Sequence, residues 1–307
     1  MLALRSVLAI RVSDAAAATA ARTSVADAVL LDLAAPASSE TRATARKTVA
    51  QSIDDIGATG RTVLARVSAA GSGELAADLA AVVGPRLAAV VLSGTELPQD
   101  VRDADVLLRK YEMRDKIAPG AIRLIPEIDS ATGLQALPAI LDAVDRHDAV
   151  ALNLAHLNDN LGLGAGFHET RSHFMAMLAV SARSADLPWL LGTFDATRSL
   201  IDATRAHELG AAGAVIHSEA SARGTNSLFN PDPAAVAAAR AVIKVWARLH
   251  EEGSLTGVAQ FGDETLLVDR RAMRHARLVV ATADGVAARQ RVNNPTTATG
   301  LRSRSTV

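Results

Sequence analysis

Short apolar runs alternate with amphipathic stretches along the first two thirds of the chain. The runs are Val7 to Val12, Ala28 to Leu33, Thr62 to Val67, Ala88 to Leu92, Ile122 to Ile128, Ala149 to Leu154, Leu187 to Thr193 and Ala212 to His217. Each has the length and continuity of a buried strand, the seventh interrupted by Pro188. Between them, helical patterns cover Glu40 to Ile53, Glu74 to Val83, Pro98 to Lys110, Leu134 to Asp145, Glu169 to Ser184 and Leu200 to Leu209. Ser13-Asp14 is suited to cap an alanine-rich helix through Ala21, and Gly57 and Gly60 break the helix before them. Eight strands alternating with helices predict an α/β chain folded as a closed (β/α)8 TIM barrel, an open doubly wound sheet being the lesser option.

Beyond the barrel the pattern changes. Asn230-Pro-Asp-Pro233 opens a helix through His250, and Gly262-Asp263 sits as a hairpin turn between Val258–Phe261 and Thr265–Val268. A last helix covers Arg271 to Ala283, with Gly285 as its stop. The expected organisation is a barrel over residues 1–229, a helix–hairpin–helix extension over 230–290, and a disordered polar tail over 291–307.

Composition narrows the function classes. With 49% hydrophobic but only 3% aromatic residues, the core must be built from Ala, Val and Leu. A net charge of −1 argues against a nucleic-acid or anionic-membrane surface. The lack of cysteine excludes disulfides, thiolate metal sites and a cysteine nucleophile, and suits a reducing cytoplasm. Met1 to Val12 reads as a first strand rather than a signal peptide, and no run approaches the roughly 18 apolar residues of a membrane span. A soluble, cytoplasmic protein is expected.

In a TIM barrel, chemistry collects at the C-terminal ends of the strands. That rule selects Asp32, Arg66, Glu96, Asp129, His156, Asp195 and His217. Asp129 is either a metal ligand or the N-cap of the following helix. Glu127, two residues earlier and on the same strand face, is an alternative ligand or the partner of a basic residue inside the barrel. Arg66 needs an anionic partner, either a substrate carboxylate or Asp32. His156 is a metal ligand, a metal-free general base, or a plain loop histidine. Asp32 is a catalytic candidate or an organiser of neighbouring loops, Glu96 a substrate-binding candidate, and His217 a strand-end residue. The glycine-rich Gly162 to Gly166 loop could approach a phosphate or a CoA moiety, but it lacks the strand–turn–helix context that would specify one.

These pieces, taken together, resemble the citrate lyase β-subunit-like group of the HpcH/HpaI aldolase superfamily. Arg5-Ser6-Val-Leu is similar to its RSxLF, and Ala26-Asp27-Ala-Val-Leu-Leu-Asp32-Leu33 to AD-x-VILDLED. Arg42 and Ala45-Arg46 fall at K-x-x-AR, Val63 to Val67 at VRVN, and Val91-Leu92 with Thr95-Glu96 at LPK-x-E. Asp129-Ser-Ala-x-Gly-Leu134 is similar to ETA-x-GL, Asn160-Leu-Gly162 to the end of GAEDLxxDLG, and Leu209 to His217 to a shortened LGFDGKxxIHP.

The resemblance implies a barrel that cleaves 3-hydroxy-acyl-CoA thioesters such as citramalyl-, malyl- or citryl-CoA into acetyl-CoA and an oxo acid. It implies Mg2+ (or Mn2+) held by a Glu and an Asp, an arginine on the substrate carboxylate, and a homotrimer or hexamer. Arg66 falls at that arginine, Asp129 at the metal Glu and His156 at the metal Asp. The chain departs from the pattern at Ala34-Ala35, Ser93-Gly94, His156 and Ala214. An imidazole in place of a carboxylate suits Mg2+ poorly, so weaker binding, another metal or a lost metal are all expected outcomes. Two functions follow: a metal-dependent carbon–carbon lyase, or a catalytically impaired barrel that binds CoA esters or oxo acids or serves as an assembly subunit.

Overall fold

The computed structural model describes residues 2–11, 15–34, 39–163, 168–192 and 199–293. Its strands are β1 (Ser6–Arg11), β2 (Ala28–Asp32), β3 (Thr62–Val67), β4 (Leu87–Leu92), β5 (Arg123–Ile128), β6 (Val150–Leu152), β7 (Trp189–Leu191) and β8 (Gly213–Ile216). All pair in parallel, in sequence order, and β8 returns to β1 to close the barrel. The closed barrel is therefore the fold, not the open sheet. The connecting helices are α1 (Ala15–Ala21), α2 (Ser39–Gly57), α3 (Leu75–Val82), α4 (Pro98–Arg114), α5 (Ala131–Leu141), α6 (Leu154–Asn160), α7 (His168–Ser184), α8 (Ser199–Glu208) and α9 (Glu219–Leu228).

Strand periodicity sorts the side chains into two layers. Val63, Ala65 and Val67 of β3, and Leu124 and Ile128 of β5, pack in the layer shared with the helices. Leu64, Arg66, Ile125 and Glu127 are also buried but point the other way, into the barrel. Helix α4 answers with a stripe of Val101, Ala104, Leu108 and Tyr111 at three- and four-residue spacing. Its first turn is closed by Asp100 Oδ2, which accepts from the backbone N–H groups of Glu96 and Leu97, each at 2.9 Å.

Two buried networks brace the N-terminal face of the barrel. Arg5 donates from Nε to Asp27 Oδ2 at 2.9 Å and from Nη2 to Asp27 Oδ1 at 2.9 Å, joining the start of β1 to the start of β2. Arg146, just before β6, forks onto Glu112 of α4 and also pairs with Asp105. Glu112 in turn accepts from the N–H groups of Gly120 and Ile122, both at 2.9 Å, at the entry to β5. Conserving charge balance in this way keeps buried polar groups satisfied far from the strand ends where chemistry is expected.

The chain folds as two compact units, one within Leu4–Phe229 and a second that takes in residues 2–3 and 230–293. The second unit holds α10 (Pro233–Glu251), a β9 (Gly257–Phe261) and β10 (Glu264–Val268) hairpin, and α11 (Arg270–Asn293). Its core is Ala239, Val242, Ala259, Val268 and Ala276. Asp232 caps α10 through the N–H groups of Ala234 and Ala235, as its sequence suggests. Gly285 does not stop the last helix, which continues to Asn293. A Cβ at Gly285 would lie 2.7 Å from that of Ala3, so the glycine serves close packing rather than termination. Arg291 to Asn293, expected in the tail, are helical, and 294–307 lie outside the described residues.

Candidate active site

Register alone brings the first two functional candidates together. Asp32, the last residue of β2, is the cross-strand partner of Arg66 on β3, with Arg11 of β1 next in the same row. Arg66 Nη1 lies 3.3 Å from Asp32 Oδ2, while Asp32 Oδ1 accepts from the N–H of Ala34 at 2.9 Å. Asp32 thus both pairs with the arginine and shapes its own loop.

The stronger partner of Arg66 comes from β5, two strands away. Glu127 Oε2 accepts from Arg66 Nε at 2.8 Å and lies 2.5 Å from Nη2. Ser93, immediately after β4, completes the set with Oγ 3.4 Å from Nη2. Burial works against the Arg66 charge, but Glu127 and Asp32 outweigh it and hold the guanidinium pKa above its ordinary value. For Glu127 burial prevails and raises the carboxyl pKa, with Arg66 pulling down and Asp129 and Asp32 adding to the rise. Of the alternatives read for Glu127, the structure places it against a basic residue inside the barrel. Arg66 pairs with Asp32 as one alternative held, and with Glu127 more closely still.

Asp129 follows β5 and is not the helix cap. That role falls to Ser130, whose Oγ accepts from Gly133 N–H at 3.2 Å. Asp-Ser offers two capping residues in a row, and the second is used, so the Asp129 side chain is released toward the mouth. Its Oδ2 lies 3.4 Å from His156 Nδ1. His156 is not on an irregular loop but in the first turns of α6, a short helix that the sequence pattern does not reveal. Asn153 caps it and accepts from the His156 N–H at 3.2 Å. The His156 side chain is 55% exposed and that of Asp129 only 14%, so the ring meets solvent and the carboxylate backs it. A carboxylate accepts, which puts the shared hydrogen on Nδ1 and turns Nε2 away from Asp129.

The loop after β4 runs beside Asp129. Gly94 takes φ +57°, and a Cβ there would stand 3.2 Å from Ala69 Cβ and 4.0 Å from Asp129 Oδ1. A Cβ at Gly133 would strike Thr95 O at 2.4 Å, so the start of α5 is pressed against the same loop. Glu96 lies on this loop with its backbone tied to Asp100. Among the described residues, no hydrogen bond joins its carboxylate to Arg66, Asp129 or His156. His217 follows β8, its pKa lowered by partial burial and by Arg11 and Arg66, with Asp32 opposing. Asp195 and residues 164–167 of the glycine-rich loop lie outside the described residues.

The donor set does not fit Mg2+. Among the described residues no group of three or more His, Asp or Glu side chains could hold a metal ion. Glu127, the alternative ligand, has Oε2 taken by Arg66, and the group that meets Asp129 is an imidazole, a poor ligand for a hard cation. Sequence reasoning missed Ser93 as a partner of Arg66, having noted it only, with Gly94, as a departure from the family pattern.

The sequence model of the family described as HpcH/HpaI aldolase/citrate lyase matches residues 5–227. A comparison with curated protein sequences finds no match. Among solved structures, a citrate lyase from Burkholderia xenovorans LB400 superposes with a TM-score of 0.69 at 14% identity, covering 94% of this chain and 93% of that one. A malate synthase from Haloferax volcanii, in a pyruvate/acetyl-CoA ternary complex, gives 0.65 at 12% identity over 95% and 93%. The CitE protein of Mycobacterium tuberculosis, in complex with magnesium, acetoacetate and coenzyme A, gives 0.60 at 19% identity over 92% and 98%.

Proposed function

Because the chain belongs to the HpcH/HpaI aldolase/citrate lyase family, whose members are generally lyases and aldolases, we propose that it is a carbon–carbon lyase acting on a CoA thioester of a 3-hydroxy acid. The observation that carries the reading is the His156–Asp129 pair, 3.4 Å apart at the C-terminal mouth, with the ring exposed and the carboxylate behind it. The ligands of the CitE and malate synthase structures, an oxo acid with CoA or acetyl-CoA, supply the substrate class.

His156 Nε2 takes the proton of the 3-hydroxyl while Asp129 fixes the ring and stabilises the imidazolium that forms. The bond between C2 and C3 breaks, C3 becomes a carbonyl, and the electron pair passes into the thioester as an enolate. The imidazolium then returns its proton to C2, giving acetyl-CoA. Run backward, the same steps condense acetyl-CoA with a carbonyl acceptor. The proton path needs no metal.

The test is turnover of a panel of 3-hydroxy-acyl-CoA thioesters, with and without a second carboxylate, by the wild type and His156→Gln. Citramalyl-, malyl- and citryl-CoA represent the first class, and 3-hydroxybutyryl-CoA the second. Activity that survives a chelator and disappears in His156→Gln is expected. Silence across the whole panel, or activity indifferent to His156→Gln, ends the proposal.

A second reading, a barrel that binds CoA esters or oxo acids without turnover, is favoured by the commitment of Arg66 to Glu127, Asp32 and Ser93. Acetyl-CoA binding by a protein inactive on the whole panel would select it.

A further inference from the structure

Arg66 stands one residue from the C-terminal end of β3, where its guanidinium would otherwise be the natural receptor for a small anion. It already has one. Glu127 is 2% exposed, and its Oε2 draws in both Nε and Nη2 of Arg66, at 2.8 and 2.5 Å. Asp32 takes Nη1 from the other side. With Asp129 close enough to act on Glu127, three carboxylates share this end of the barrel with Arg66 and with Arg11, next in register. An incoming carboxylate would have to displace a buried, doubly bonded glutamate and enter beside Asp32 and Asp129. Like charges in a site of low dielectric repel strongly, so that displacement is costly.

We propose that Glu127 occupies the anion position of Arg66 from within the chain, and so selects for acyl groups that carry no free carboxylate. The ligand class is then a CoA thioester whose 3-hydroxy acyl end is neutral, its cleavage yielding a simple aldehyde or ketone rather than an oxo acid. This choice of substrate rests on the lyase reading. The occupation of Arg66 does not, and it is measurable without turnover.

Two measurements decide it. In thermal unfolding, formate in place of chloride at equal ionic strength should raise the midpoint of Glu127→Ala, because the free carboxylate enters the vacated position beside Arg66. It should leave the wild type and the double variant Arg66→Met/Glu127→Ala unmoved. In calorimetric titration, acetoacetate should bind Glu127→Gln about tenfold more tightly than wild type, a difference of about 1.4 kcal/mol. Should Glu127→Ala fail to fold, the Gln variant, which keeps the size and an accepting oxygen, carries the test alone.

Wild type that binds acetoacetate as tightly as Glu127→Gln, or that gains as much from formate as Glu127→Ala, overturns the proposal. Under the lyase reading, Glu127→Gln also gains activity on malyl-CoA relative to 3-hydroxybutyryl-CoA. Formate rescue with no turnover by any variant would retain the occupied arginine and remove the lyase.

Discussion

Arg146 and Glu112 meet end to end, Nη1 to Oε1 and Nη2 to Oε2, each at 3.1 Å, with Glu112 fully buried and Arg146 3% exposed. Breaking one side of such a pair strands the other charge in the protein, at a cost of about 3–5 kcal/mol. Arg146→Leu is therefore expected to be among the most destabilising single changes, read as a lower urea midpoint. It should act through folding alone, because the pair stands on the N-terminal face. A midpoint within error of wild type would show that the fork contributes nothing.

Asp129→Asn should leave the fold intact, changing stability by no more than about 0.5 kcal/mol. It should also lower kcat/KM by about 10²–10⁴-fold, the usual worth of acid–base assistance. Combined with His156→Gln, the loss should fall well short of the product of the two, since the residues act as one unit. Independent, multiplicative losses would separate them.

His147 supplies a pH dependence. Its Nε2 lies 3.0 Å from the Ile140 carbonyl oxygen, and it is 5% exposed. Burial, aided by Arg123, holds its pKa below the ordinary 6.5, against the pull of the Ile140 and Leu124 backbone and of Asp105. The unfolded chain thus takes up a proton that the native state resists. Stability is complete above 6.5 and falls as the pH drops below it toward the native pKa. His147→Gln, which keeps a donor for Ile140 O, should flatten the difference between urea midpoints at about pH 7.5 and about pH 5.5. An unchanged difference would rule His147 out as its source.

Gly213 opens β8, and a Cβ there would stand 1.8 Å from Leu4 O and 2.6 Å from Arg5 O. Backbone atoms cannot swing aside as a side chain can. Gly213→Ala should therefore cost at least the upper end of the about 1–3 kcal/mol typical of overpacking, at the seam that closes the barrel. A thermal midpoint equal to that of wild type would contradict this.

The wall of the barrel was legible because buried strands of Val, Leu and Ile announce themselves by continuity. Every strand falls within two residues of its apolar run, down to the three-residue β6 and β7. The short helices α6 and α9 were not, since a helix of two or three turns on a loop lacks enough apolar repeats to stand out. Strand-end position was enough to single out Asp32, Arg66, Asp129 and His156 as candidates. The partner of Arg66 was not fixed in advance, because Glu127 reaches it across an intervening strand, a relation that neither spacing nor period encodes. The Asp129 cap reading failed for a local reason, the serine directly after it.

The seams of the barrel are unequal. Five residue pairs join β2 to β3 and five join β3 to β4, but only two join β5 to β6 and two join β7 to β8. Arg66 rides on the densely laddered side and His156 follows the sparsely laddered β6. Amide protons around the imidazole should exchange with solvent well before those around the guanidinium, so His156 belongs to the looser half of the ring and the fixed charge of Arg66 to the tighter one.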